Sequence, residues 1–94
     1  MGANNTSTIS YTFTKNIGGS GVLWVITIGH WNSSICNGAI GTVKYKANDV
    51  ESATSVIADK HNIISDVSID NSTGVFTVTL VAAQSYLGLK ILNI

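Results

Sequence analysis

Ile63-Ile64-Ser65-Asp66-Val67-Ser68-Ile69-Asp70, then Asn71-Ser72-Thr73-Gly74, then Val75-Phe76-Thr77-Val78-Thr79-Leu80-Val81 is the stretch that decides the fold class. In the first arm Ile63, Val67 and Ile69 share one parity, and Asp66, Ser68 and Asp70 share the other. In the second arm Phe76, Val78 and Leu80 alternate with Thr77 and Thr79. Successive side chains leave opposite faces of a sheet, so a period of two marks a half-buried strand. The four residues between the arms include Asn and Gly, which tolerate the positive φ of a tight turn. The arms are also rich in β-branched residues, which suit a pleated surface. The stretch reads as a β-hairpin.

Outward from the hairpin the same alternation recurs. Ile9, Tyr11 and Phe13 share one face of Ile9–Thr14. Ile17-Gly18-Gly19-Ser20-Gly21 reads as a flexible loop; with no Lys-Ser/Thr pair and no helix after it, it is not a phosphate cradle. Val22 to Trp31 is the longest apolar stretch, and both of its faces are apolar over the first half. A strand of that kind is usually covered on both sides. Asn32-Ser33-Ser34 and Asn37-Gly38 are turn signals. Ala39–Lys46 reads as a strand, Ser55–Ala58 as a short strand or one helical turn, and Tyr86–Ile94 as a last strand, again apolar on both faces. About seven short strands with regularly spaced turns predict an all-β chain, an antiparallel β-sandwich of jelly-roll-like form. Residues 1–8 read as a flexible lead-in and 9–94 as a single domain.

Composition bounds the function. Charged residues make up 11% of the 94 residues, against about 25% in ordinary soluble domains, while apolar residues make up 45%. A small domain with so few charges covers itself with neutral polar groups or hides surface in a partner. The five basic residues, Lys15, Lys44, Lys46, Lys60 and Lys90, form no run, and the net charge is zero. That speaks against nucleic acid and against an anionic membrane surface as partners. No apolar run approaches the roughly 20 residues of a membrane span, so no membrane insertion is expected. Cys36 is the only cysteine, so no intrachain disulfide forms, which suits assembly in a reducing cytoplasm. With no proline to blunt the strand edges, cover by assembly is expected.

Residues that could carry chemistry are few. His30 and His61 have no second ligand at metal spacing, so no metal or other cofactor is predicted. Asp66 and Asp70 share the solvated face of their strand, and no Gly-x-Ser-x-Gly elbow surrounds any serine, so no catalytic residue is assigned. The aromatics are the better lead. Sugars bind through flat apolar rings flanked by amides and hydroxyls, and Trp31, with His30 and Asn32 beside it at a strand end, has that local character; the other reading is that Trp31 packs in the core or an oligomer seam with its indole N–H bonded to backbone. The two apolar faces of Val22–Ile28 and Leu87–Ile94 mark Val22, Trp24, Ile26, Leu87, Leu89, Ile91, Leu92 and Ile94 as candidate contacts between copies.

Thr8-Ile9-Ser10-Tyr11-Thr12-Phe13-Thr14, Gly19-Ser20-Gly21-Val22-Leu23-Trp24-Val25, Val67 through Leu80 and Leu87 through Ile94 together resemble the C-terminal domains of bacteriophage tailspikes and tail fibres. The resemblance rests on patterns over nearly the whole chain after Thr8, not on a signature. It implies a non-enzymatic β-sandwich that forms a homotrimer, stabilises the fibre end and sometimes contacts cell-surface polysaccharide. It further implies a virion location in the phage tail, after assembly in the bacterial cytoplasm. Symmetry alone would favour a dimer; the three-fold expectation comes from the resemblance. A free-standing carbohydrate-binding module or lectin is the alternative reading.

Overall fold

The computed structural model describes residues 2–3, 6–29, 36–84 and 87–92, with side chains at all of these except 2, 3, 29, 36 and 37. The described residues form strands β1 (Gly2–Ala3), β2 (Thr6–Thr12), β3 (Ile17–Gly29), β4 (Cys36–Tyr45), β5 (Ala53–Ala58), β6 (Ile64–Ile69), β7 (Val75–Gln84) and β8 (Leu87–Leu92), with no helix among them. All pairings are antiparallel. The larger sheet has the order β1-β8-β3-β4-β5 and the smaller the order β2-β7-β6, so the chain is an antiparallel β-sandwich.

The hairpin lies where its pattern placed it, as β6 and β7. Asp70 accepts the Gly74 N–H at 2.8 Å and donates its own N–H to Val75 at 2.9 Å, closing the turn. The boundaries differ from the sequence reading in several places. Asn37-Gly38, read as a turn, lies within β4, where the two residues pair with Ile28 and Thr27. Gly2-Ala3 pair with Gly88 and Leu87, and Thr6–Thr8 belong to β2, so part of the expected lead-in is strand. The glycine segment after Ile17 is a bulge inside β3, not a free loop. Ile17 pairs with Tyr45 and Val22 with Val43, so extra residues are looped out between those two pairs. Gly19 and Gly21 supply the positive φ (62° and 80°) that this excursion requires. Residues 55–58, open between strand and helical turn, are strand, because β4 offers them a ladder.

The core lies between the sheets, and no polar or charged residue is buried among the described residues. The larger sheet contributes Val22, Trp24, Ile26, Val43, Leu87 and Leu89, and the smaller contributes Ile9, Phe76, Val78 and Leu80. Trp24 and Phe76 meet across the layers with ring centroids 5.8 Å apart, and both are fully buried. Gly41 lies opposite Trp24 in the β3–β4 register, and its missing side chain leaves room for the indole. The Trp24 indole N–H donates to the Thr42 carbonyl at 3.1 Å, so the one polar group of that side chain is satisfied.

Neither neighbouring edge is left straight. On β5, Val56 pairs with Gly41 and Ala58 with Ile40, which leaves Ile57 as an extra residue. On β6, Ser65 is extra in the same way, between the pairs Ile64–Leu80 and Asp66–Thr79. A bulge bends its strand and sharpens its twist. The two bulged edges approach each other, and the Thr54 hydroxyl donates to the Val67 carbonyl at 3.4 Å. Bulges thus do on this side what prolines do on other edges. The Ser65 bulge also shifts parity, which is why both Ile64 and Val67 pack against the core.

Candidate functional site

His30, Trp31 and Asn32, the predicted sugar platform, lie outside the described residues, as does Ile94. The remaining candidates for contact between copies divide by parity. Val22, Trp24, Ile26, Leu87 and Leu89 are buried in the domain's own core, and Ile91 packs against it. They face the other sheet. Volume favours this side, because the missing Gly41 side chain leaves room there for the Trp24 indole. Leu92 alone of the described set is on the opposite face, paired with Leu23.

That opposite face is the outer surface of the larger sheet. Its central side chains are Leu92 beside Leu23, and Val25 between Lys90 and Ile40. Leu23, Val25, Ile40 and Leu92 are all half-buried within a single chain. Farther along, Thr27 stands between Gly38 and Gly88, and a shallow groove runs on each side of the ridge it makes with Val25. Lys60 and Lys90 border these grooves, and no acidic residue lines them.

The outer surface of the smaller sheet is chemically different. Ser10, Thr77 and Ser68 form one row across its three strands, and Thr8, Thr79 and Asp66 form the next. The Ser10 and Thr77 hydroxyls are 3.0 Å apart and hydrogen-bonded. This face satisfies water without any help. The outer face of the larger sheet is mixed: beside its central apolar side chains, the Thr42 and Ser55 hydroxyls hydrogen-bond to each other.

A third feature is a cleft at the end of the sandwich where the β2–β3 and β4–β5 connections meet. The Phe13 N–H donates to Gly74 at 2.8 Å and so pins the end of β2 to the hairpin turn. Asn16 Oδ1 accepts the Ala47 N–H at 3.1 Å, which ties the two connections together. Asn71 reinforces this end, its side-chain amide donating to Asp49 O at 3.1 Å and its carbonyl accepting the Asn48 N–H at 2.7 Å. On one side of Asn16 and Ile17 lies a hollow of about 410 Å³ walled by Tyr11, Phe13, Thr14 and Lys15. On the other lies a hollow of about 260 Å³ bordered by Lys44, Tyr45, Lys46 and Glu51. Phe13 is buried; it meets Tyr11 edge-on at 5.0 Å and stacks on Tyr45 at 6.2 Å, so the half-exposed Tyr11 ring rests on a fixed base.

The charges at this end are arranged unevenly. Lys46 lies 3.6 Å from both Asp49 and Glu51. The Glu51 N–H donating to Asp49 holds that carboxyl below its ordinary value, and the Lys46 ammonium adds to the effect. Lys15 and Lys44 have no carboxylate partner among the described residues. No three metal-ligating side chains gather among the described residues. The groups lining the cleft can stack on a flat apolar surface, donate hydrogen bonds and attract an anion. Sequence reading missed this cleft because Lys15 lies far along the chain from Lys44 and Lys46. Its one local signal was Tyr11 and Phe13 on a single strand face, directly before a polar connection. No protein-family model, no curated protein and no solved structure matches the chain.

Proposed function

We propose that the chain is a non-enzymatic assembly module that associates with further copies of itself through the outer face of the larger sheet. By the resemblance stated above, its setting is the end of a bacteriophage tailspike or tail fibre, where it forms a trimer and contacts host-surface glycan. One observation carries the reading: the two outer faces of the sandwich are unlike. The smaller sheet presents rows of hydroxyls, whereas the larger presents Leu23, Val25, Ile40 and Leu92 at its centre, with no layer over them among the described residues. Apolar surface of that kind gains roughly 25 cal/mol per Å² when a partner removes it from water. A second copy suits the role because the chain carries zero net charge and few charges of either sign, so repulsion between copies is small.

Light scattering after size exclusion tests this. The wild-type chain is expected at three times its chain mass, and Leu23→Asp is expected to shift to monomer. Thr77→Asp, on the hydroxyl face, is expected to leave the mass unchanged. A monodisperse wild-type monomer at micromolar concentration sinks the assembly reading. It would favour the second reading, a free-standing carbohydrate-binding module, for which the aromatic-walled cleft is the supporting observation.

A further inference from the structure

We infer that the cleft between the β2–β3 and β4–β5 connections is a binding site for an acidic saccharide, a sugar that carries a carboxylate. This deepens the glycan-contact part of the proposed function and rests on it. Three features of the site converge on that ligand class.

The first is the apolar wall. Tyr11 is the accessible ring; Phe13 lies buried beneath it, and Ile17 extends the surface toward the second hollow. A pyranose has a flat face of C–H groups that such a wall accommodates, and a ring held edge-on by a buried neighbour needs little ordering when a ligand arrives.

The second is the gathering of cations. The chain has five lysines and no cationic run in sequence, yet Lys15, Lys44 and Lys46 line these two adjoining hollows. Lys46 is engaged by Asp49 and Glu51, which leaves Lys15 and Lys44 as the cations available to a ligand. Lys44 is half-buried, and its stem lies so close over Gly21 that an added methyl there would meet Cγ at 2.9 Å. Partial burial limits the freedom of the stem, which lowers the cost of fixing it on an anion.

The third is the oriented amide. Asn16 accepts the Ala47 N–H through Oδ1, so its NH2 group is left to donate. An amide donor, two ammonium groups and the Thr14 hydroxyl beside an aromatic wall complement a ring bearing hydroxyls and one carboxylate. A nucleic acid fits less well, since a phosphate backbone calls for a basic stripe and the chain as a whole is neutral.

Amide chemical shifts of the 15N-labelled full chain test the assignment. The probes are trigalacturonate, an α2,8-linked sialic acid trimer, the methyl ester of trigalacturonate, maltotriose and inorganic phosphate. At least one acidic trimer is expected to move the amides of Tyr11, Asn16, Ile17 and Ala47 at millimolar concentration. The methyl ester and maltotriose are expected to leave them in place. Lys15→Gln and Lys44→Gln are each expected to weaken binding several-fold, and added salt to weaken it further. Tyr11→Leu, which keeps the apolar volume, is expected to lose the stacking contribution without unfolding the domain. No shift with either acidic trimer overturns the inference, as does a response confined to other residues. Equal binding of the methyl ester or of maltotriose at this cleft overturns the acidic specificity while leaving glycan contact standing. Binding of phosphate alone reduces the site to an anion site and also overturns it. Failure of self-assembly is read separately, as mass, and does not bear on these shifts.

Discussion

Gly41→Ala isolates the contact on which the two-sheet packing depends. A methyl group added at Gly41 would lie against the Cζ2 and Cε2 atoms of Trp24 and against the Ser55 carbonyl oxygen. The indole is fully buried and its N–H is held by Thr42, so the ring cannot turn away freely. The Ser55 oxygen is backbone in β5, and moving it disturbs the β4–β5 ladder. Overpacking a core usually costs about 1–3 kcal/mol, and two rigid neighbours place this substitution at about 2–3. For a domain of this size that corresponds to a fall in Tm of roughly 10–20 °C. Urea titration at fixed protomer concentration should show a lower midpoint with an unchanged slope. Trp24→Phe removes the two indole atoms but not the clash with Ser55, so in a double-mutant cycle it should relieve part of the Gly41→Ala cost. A Gly41→Ala variant within about 0.5 kcal/mol of wild type, or a cycle with no coupling, would refute the packing account.

Asp59 accepts the N–H groups of Ile63 and Ile64 at 2.9 and 3.0 Å, and so shapes the entry to β6. Asp59→Ala is expected to cost about 1.5–3 kcal/mol in the same titration, because hydrogen bonds to a charged acceptor are the stronger kind. Acid should also destabilise the fold. The Ser72 hydroxyl and N–H hold Asp70, and the Glu51 N–H and Lys46 hold Asp49, below the ordinary value of 3.8. Depressed folded-state values mean that this stability is present above 3.8 and is lost as pH falls through the lower folded values. Thermal melts between neutral pH and pH 3 should therefore show a falling Tm that is less steep in Asp70→Asn; an identical slope in the variant would count against the Asp70 contribution.

The fold was legible wherever one face of a strand is buried and the other wet. Phe76, Val78 and Leu80 against Thr77 and Thr79 admit one reading, and the structure bears it out. Legibility fell where both faces are apolar. In β3 the even face, with Trp24, and the odd face, with Leu23 and Val25, carry the same period-two signal. Only the opposite strand tells them apart. Gly41 leaves the space that the indole fills, and its register with Trp24 is a long-range fact that no local window contains. The bulges at Ile57 and Ser65 were invisible for a related reason: each is defined by a residue missing from the partner strand, not by its own identity.

The cleft was harder still to read, because its components are uninformative one at a time. Lys15 is separated from Lys44 and Lys46 by β3 and most of β4, and a basic patch sought as a run along the chain does not exist. An antiparallel sandwich makes such a patch by geometry. Connections that leave the same end of their sheets are brought side by side whatever their distance in sequence, as the Asn16–Ala47 and Asn48–Asn71 hydrogen bonds demonstrate. The useful question for a chain of this type is which connections share an end, and what they hold in common. Applied to this sequence, with β2, β4 and β6 all ending on the side of the hairpin turn, that question collects Lys15, Lys46, Asp49, Glu51 and Asn71 into one neighbourhood, with Tyr11 of β2 and Phe13 just after it close by. Local pattern reveals which residues leave the core; topology decides which of them meet.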